Sequence, residues 1–193
     1  MQSETRCSPS PIRIVLLALL CAGLGVSGAA AIDVGDPAPE FLLVDLDGLQ
    51  HSPSGYTPNP VLLMFFESGT SVSNALGPAV QNEVYDPYVG DGLRILGIEC
   101  TGKPHEHVDH FRNQSGILFP LLLDGESVQD EYGLPTPSFV LIGGGGTVRY
   151  VSEGTGVNAY DRDRLTGAIE ESLRESNETK RSTWGLIKSL YTD

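Results

Sequence analysis

Cysteine is scarce in this chain of 193 residues: there are three, at positions 7, 21 and 100. That excludes a disulfide-stapled scaffold. Basic residues are also few, 12 Lys and Arg against 25 Asp and Glu, for a formal net charge of −13. So acidic a protein is repelled by phosphate backbones, which argues against nucleic acid and anionic lipid as partners. What is present is ordinary: 40% hydrophobic and 19% charged residues, the composition of a globular protein. The length predicts one domain with a core of its own.

The N-terminus reads as a targeting segment. Arg6 and Arg13 precede the apolar run Ile14 to Val26, and the small residues SGAAA follow up to Ala31. A basic start, an apolar centre and a small-residue exit describe a secretory signal peptide. Its rival is an uncleaved membrane anchor over residues 14–31, which is short for a span. Cys21 follows Leu19 and Leu20, so a lipobox is absent. Either way the expectation is export, periplasmic or extracellular, with membrane contact only through residues 14–31 if uncleaved. Cys7 and Cys21 belong to this segment, which leaves Cys100 alone in the domain.

The rest of the chain alternates strand and helix patterns. FLLVDL (41–46) ends in Asp47-Gly48, a tight-turn signal. VLLMFFES (61–68) and LRILGIEC (93–100) are continuous apolar runs, as expected of strands buried on both faces. Apolar residues at 72, 76, 79/80 and 84 follow helical spacing, with Pro78 as a kink. Further helices are predicted over 104–114, 126–133 and 158–175. SFVLI and TVRYVS flank Gly143 to Gly146 and read as a hairpin. The tail from Asn177 is polar, with a weak amphipathic turn. The predicted organisation is a targeting segment (1–31), one domain (32–176) and a polar tail (177–193). The order predicts a layered α/β sandwich with a mixed sheet.

These landmarks resemble the thioredoxin-like superfamily, in its redoxin branch: the alkyl hydroperoxide reductase/thiol-specific antioxidant group and its exported TlpA-like relatives. Gly35-Asp36-Pro37-Ala38-Pro39-Glu40-Phe41 matches the entry motif G-x-x-A-P-x-F, and Leu46-Asp47-Gly48 the following hairpin. Val61 to Phe66 matches the strand before the active site. Phe119-Pro120 with Asp124, Tyr132-Gly133-Leu134, and Pro137-Ser138-Phe139-Val140-Leu141-Ile142 match three later stretches in order. The resemblance implies a three-layer α/β/α thioredoxin-like fold with an N-terminal β-hairpin extension. It also implies a cis-proline at Pro137 and a groove beside it that holds extended polypeptide. Thr70, Ser71, Thr136, Pro137 and Ser138 would line that groove.

The family's C-x-x-C motif is missing. Pro78 stands where the family has a proline five residues after the second cysteine, which sets Thr70-Ser71-Val72-Ser73 in the motif's place. Thr70 and Ser73 therefore occupy the two thiol positions. Dithiol exchange needs a thiolate at a helix N-terminus and a second thiol to resolve the mixed disulfide. A hydroxyl ionises far above neutrality, and a helix dipole worth about 1 kcal/mol cannot close that gap. Thr70 and Ser73 read instead as helix-capping hydroxyls. Arg149 is the nearest candidate for a peroxide-polarising arginine, but it lies in the second hairpin strand.

Cys100 ends a strand at the expected functional edge, with Glu99 to raise its pKa and Lys103 and His105 to lower it. An inert, half-buried thiol and a relocated single redox centre both fit. His105, His107 and His110 sit with Glu106 and Asp109 on one helix. Their spacing gives partial convergence, which favours a solvated polar face over a metal site. Gly143 to Gly146 joins two antiparallel strands, so it is no phosphate loop. No cofactor is expected. Two functional readings remain. One is a non-catalytic module that binds a polypeptide or partner protein at the cis-proline groove. The other is a thiol-disulfide oxidoreductase or peroxiredoxin-type antioxidant protein working through Cys100.

Overall fold

The computed structural model describes residues 31–189. The expected targeting segment, with Cys7 and Cys21, and residues 190–193 lie outside the described residues. The first half contains β1 (Leu43–Val44), β2 (Gln50–His51), β3 (Val61–Phe66), α1 (Ser71–Val80) and β4 (Arg94–Glu99). The second half contains α2 (His105–Ser115), β5 (Leu121–Leu122), α3 (Glu126–Tyr132), β6 (Ser138–Ile142), β7 (Val148–Val151) and α4 (Arg162–Ser189).

Five strands form one sheet in the order β5-β4-β3-β6-β7. β3, β4 and β5 are parallel, while β6 runs antiparallel to β3 and β7 antiparallel to β6. The two apolar runs of the sequence are the adjacent central strands, with Val61 opposite Arg94 and Phe66 opposite Glu99. All six residues of β3 are buried, because apolar clusters cover both faces. On one face Leu62, Met64 and Phe66 pack against Leu76 and Val80 of α1, Val108 and Phe111 of α2, and Leu165, Ile169 and Leu173 of α4. On the other face Leu63, Phe65, Leu96 and Ile98 meet Val128 and Tyr132 of α3 and Ile32 of the entry segment. Phe66 and Phe111 stack with centroids 5.0 Å apart. Truncating either ring to alanine should cost about 3–5 kcal/mol. This is the mixed α/β/α sandwich of a thioredoxin-like fold. β1 and β2 form a separate antiparallel ribbon at its N-terminal side.

Several boundaries differ from the sequence expectation. The first strand shrinks to Leu43–Val44, because Asp45 and Leu46 turn away to bond other elements. Pro78 removes a backbone donor inside α1, and the helix widens into a π turn at Gln81–Tyr85 before one more α turn at Asp86–Tyr88. Gly77 lets α1 approach α2, since a Cβ there would lie 3.0 Å from Phe111 and 3.2 Å from Ser115. The last helix begins at Arg162 rather than 158 and runs through the expected polar tail to Ser189. Polar docking holds that extension: Ser176 Oγ donates to the Pro58 carbonyl at 2.7 Å, and Lys180 Nζ to Asn59 Oδ1 at 2.8 Å. No helix among the described residues is long and apolar enough to cross a membrane.

Candidate functional site at the sheet edge

Phe65 lies opposite Ser138 in the antiparallel β3–β6 pair. The turn leaving β3 and the turn entering β6 therefore emerge at one sheet edge. The end of β4 joins them there, because Cys100 N–H donates to the Phe66 carbonyl at 3.0 Å. Thr70, Ser71, Thr136, Pro137 and Cys100 are thus carried to one edge by three strands. The Thr136–Pro137 peptide bond is cis. Thr57–Pro58 is a second cis bond, to which no motif pointed.

Thr70 is the N-cap of α1. Its Oγ1 accepts from Ser73 N–H at 3.2 Å and shares its own proton between the Glu67 carbonyl (3.1 Å) and Ser73 Oγ (3.0 Å). A β-branched hydroxyl in extended backbone is suited to this, because it satisfies a donor that the helix leaves open. Ser73 is buried, only 1% exposed, beneath the turn. The helix start is closed by its own side chains. Ser71 is exposed and Thr136 half-exposed, while Pro137 and Ser138 are buried. Ser138 can therefore offer only its backbone to an occupant of the groove.

Beneath the edge lies a fully buried carboxylate. Glu99 Oε2 accepts from the Thr101 and Lys103 N–H groups, both at 3.0 Å, and Oε1 from the Thr101 hydroxyl at 2.6 Å and Ser68 N–H at 3.4 Å. It clamps the turn before α1 to the loop after β4. Across the same two loops Lys103 faces Glu67 at 3.8 Å. On the far side Gln129 Nε2 donates to Thr136 Oγ1 at 2.7 Å and to the Leu134 carbonyl at 3.0 Å, which fixes the approach to Pro137. Sequence reasoning missed both roles. A glutamate closing an apolar strand was the one available signal for Glu99, and Gln129 gave none.

Cys100 is 5% exposed and joins the α3-side cluster. Its Sγ donates to the Ile98 carbonyl at 3.2 Å, and its charge environment involves Thr136 rather than the Thr70–Ser73 turn. Burial pushes the thiol up to about 12, and Glu99 and Glu126 add to the rise against the lowering contacts from Phe66 and Thr136. The expected lowering partners do not act on it. His105 Nε2 is bonded to the Leu46 carbonyl at 2.8 Å, and Lys103 faces Glu67. The thiolate, the form that attacks disulfides and peroxides, is thereby disfavoured at pH 7.

The three histidines of α2 separate rather than converge. His105 holds Leu46, His107 packs on Gly69, and His110 is exposed. No cluster of metal-ligating side chains occurs among the described residues. Arg149 pairs with Glu175 at 2.5 Å, away from the edge. A second polar network lies in the ribbon, and no motif announced it. Asp45 is 5% exposed and accepts from Asp47 N–H (2.9 Å), Leu49 N–H (2.8 Å) and His51 Nε2 (2.8 Å). The other ring nitrogen of His51 bonds the Tyr56 hydroxyl.

Residues 34–151 match the model of the AhpC/TSA family. The chain belongs to that family. A relative, the thiol-disulfide oxidoreductase ResA of Geobacillus thermodenitrificans, is 33% identical over 153 residues, which are 75% of this chain and 87% of the relative. Peroxiredoxin Q of Oryza sativa subsp. japonica, a chloroplastic protein, is 27% identical over 154 residues, 79% of this chain and 68% of the relative. Among solved structures, a putative thiol:disulfide interchange protein DsbE from Chlorobium tepidum superposes with a TM-score of 0.65. It is 24% identical and covers 74% of this chain and 99% of its own. The one cysteine among the described residues is the buried Cys100.

Proposed function

We propose that this protein is an exported thioredoxin-like module of the AhpC/TSA family that has lost dithiol chemistry and binds a polypeptide or partner protein at the cis-proline edge. The observation that carries the reading is the state of Cys100: buried, with its thiol pushed up to about 12. Thr70 and Ser73, in the place of the family's cysteines, spend their hydroxyls on capping α1 and on each other. Ser71 and Thr136 remain on the surface, beside the cis Thr136–Pro137 bond. Export rests on the basic, apolar and small-residue succession of residues 6–31.

The test is a pair of assays on the full chain, insulin reduction with dithiothreitol and peroxide consumption. Neither should exceed the uncatalysed rate. Activity that disappears in Cys100→Ser would replace the module with a one-cysteine oxidoreductase or antioxidant enzyme.

A further inference from the structure

The end of the sheet opposite Pro137 carries a groove for which the cis-proline reading has no use. Pro58 and Asn59 lead into β3 at Val61, and Lys180 Nζ donates to Asn59 Oδ1 at 2.8 Å, which ties the last turns of α4 to that end. Between the helix and the body runs a groove of about 210 Å³, lined by Pro58, Thr179, Lys180, Thr183, Trp184 and Ile187. Trp184 is 64% exposed and Ile187 39% exposed, so the fold covers neither side chain.

The walls narrow the class of ligand. The volume is below the roughly 300–1,000 Å³ of a drug-sized pocket, which limits the occupant to a single ring or a short aliphatic chain. An indole, a pyrrolidine ring and a branched aliphatic side chain favour a flat apolar body that can stack. The polar groups are more selective. Thr179 and Thr183 spend their hydroxyl protons on the carbonyls of Glu175 and Thr179, at 3.0 and 2.9 Å. Lys180 is the one cation on the groove. Asn59 holds one proton of its ammonium and so fixes it in place, and two protons remain. No acidic side chain lines the groove, and residues 179–189 contain none, in a chain whose net charge is −13. A fixed ammonium with two open donors matches a carboxylate, whereas a phosphate would leave most of its oxygens without donors.

We propose that this groove is a second binding site, for a small amphipathic carboxylate whose apolar body lies among Trp184, Ile187 and Pro58 and whose carboxylate meets Lys180.

Trp184 is the single tryptophan of the chain, so its emission reports this groove alone. Full-length protein is titrated with hydrocinnamate and, for comparison, with its neutral amide. The expected result is a saturable change in emission with half-saturation on the order of 0.1–1 mM, the range of a fragment-sized ligand. The amide should bind about fivefold more weakly. Lys180→Gln should bring acid and amide to one affinity, while Lys180→Arg should keep the preference for the acid. Arg181→Gln, which removes a cation outside the groove, should keep it too. A response that does not saturate overturns the proposal, as does a parent that binds acid and amide alike. So does a preference that survives Lys180→Gln or disappears in Arg181→Gln. An indole already shielded from solvent before ligand is added also overturns it. Shielding lost on dilution would assign the groove to a second copy, and shielding independent of concentration to residues 190–193.

Discussion

The His107 ring lies against Gly69, so close that a Cβ at Gly69 would stand 2.5 Å from His107 Nε2. Gly69 also has φ +82, a conformation that side chains rarely adopt. Two costs therefore meet in Gly69→Ala, backbone strain of about 1–2 kcal/mol and displacement of the imidazole. The single variant should lower the denaturation midpoint. Adding His107→Ala should recover only the part due to the ring. Full recovery in the double variant would show that the backbone at Gly69 is not strained by a side chain.

How much of this was legible beforehand follows from where the contacts lie. β3 and β4 declare themselves because strands buried on both faces must be apolar at every position. The start of α1 after Thr70 could be read because Val72, Leu76 and Val80 follow helical spacing. His107 over Gly69, Glu99 under Ser68 and Gln129 on Thr136 could not be read. Glu99 and Ser68 are 31 residues apart, and nothing local records the pairing. The extension of α4 was hidden for another reason. It docks through Ser176 and Lys180, whose polar bonds leave no apolar periodicity in the sequence.

Cys100 should be unreactive in the native state. Ellman's reagent added to folded protein at pH 8 should modify Cys100 only at the rate of opening, and at once in denaturant. A variant with Ser at positions 7 and 21 isolates the signal. Because the folded thiol titrates at about 12, above its ordinary value, its contribution is fully present below about 8.5 and is lost as pH rises through 12. Stability should fall across that alkaline range, and the fall should be smaller in Cys100→Ala. Rapid labelling of the native protein would remove the main support for the binding-module reading.

Asp45 gives the opposite sign. Burial alone would raise its carboxyl, but hydrogen bonds from Leu49, His51 and Asp47 outweigh it and hold the group below its usual value of 3.8. A carboxyl lowered on folding contributes stability above the unfolded value, near 4, which is lost as pH falls through the folded one. Asp45→Asn should therefore be less stable than the parent at pH 6, with the gap narrowing below pH 4. Urea midpoints at both pH values measure it. A gap that stays constant down to pH 2 would mean that the Asp45 charge contributes nothing.

The scaffold should also accept its family's chemistry back. Thr70 Oγ1 and Ser73 Oγ stand 3.0 Å apart across the first turn of α1. Sulfur atoms on those carbons have longer bonds and need to close to about 2.05 Å, a small adjustment. A cysteine at 70 would sit at the N-cap, where the open N–H groups and the dipole stabilise a thiolate, while one at 73 would stay buried and protonated. Thr70→Cys gives up a capping hydroxyl at a cost of about 1 kcal/mol, which the fold should tolerate. The double variant Thr70→Cys, Ser73→Cys should form an internal disulfide in air and reduce insulin measurably with dithiothreitol, where the parent does not. The gain should be partial, because Gly69 and His107 shape the approach to position 70. A folded double variant that forms the disulfide yet leaves insulin untouched would show that the edge no longer admits a disulfide substrate. One that cannot form the disulfide would show that Thr70 and Ser73 do not occupy the family's thiol positions.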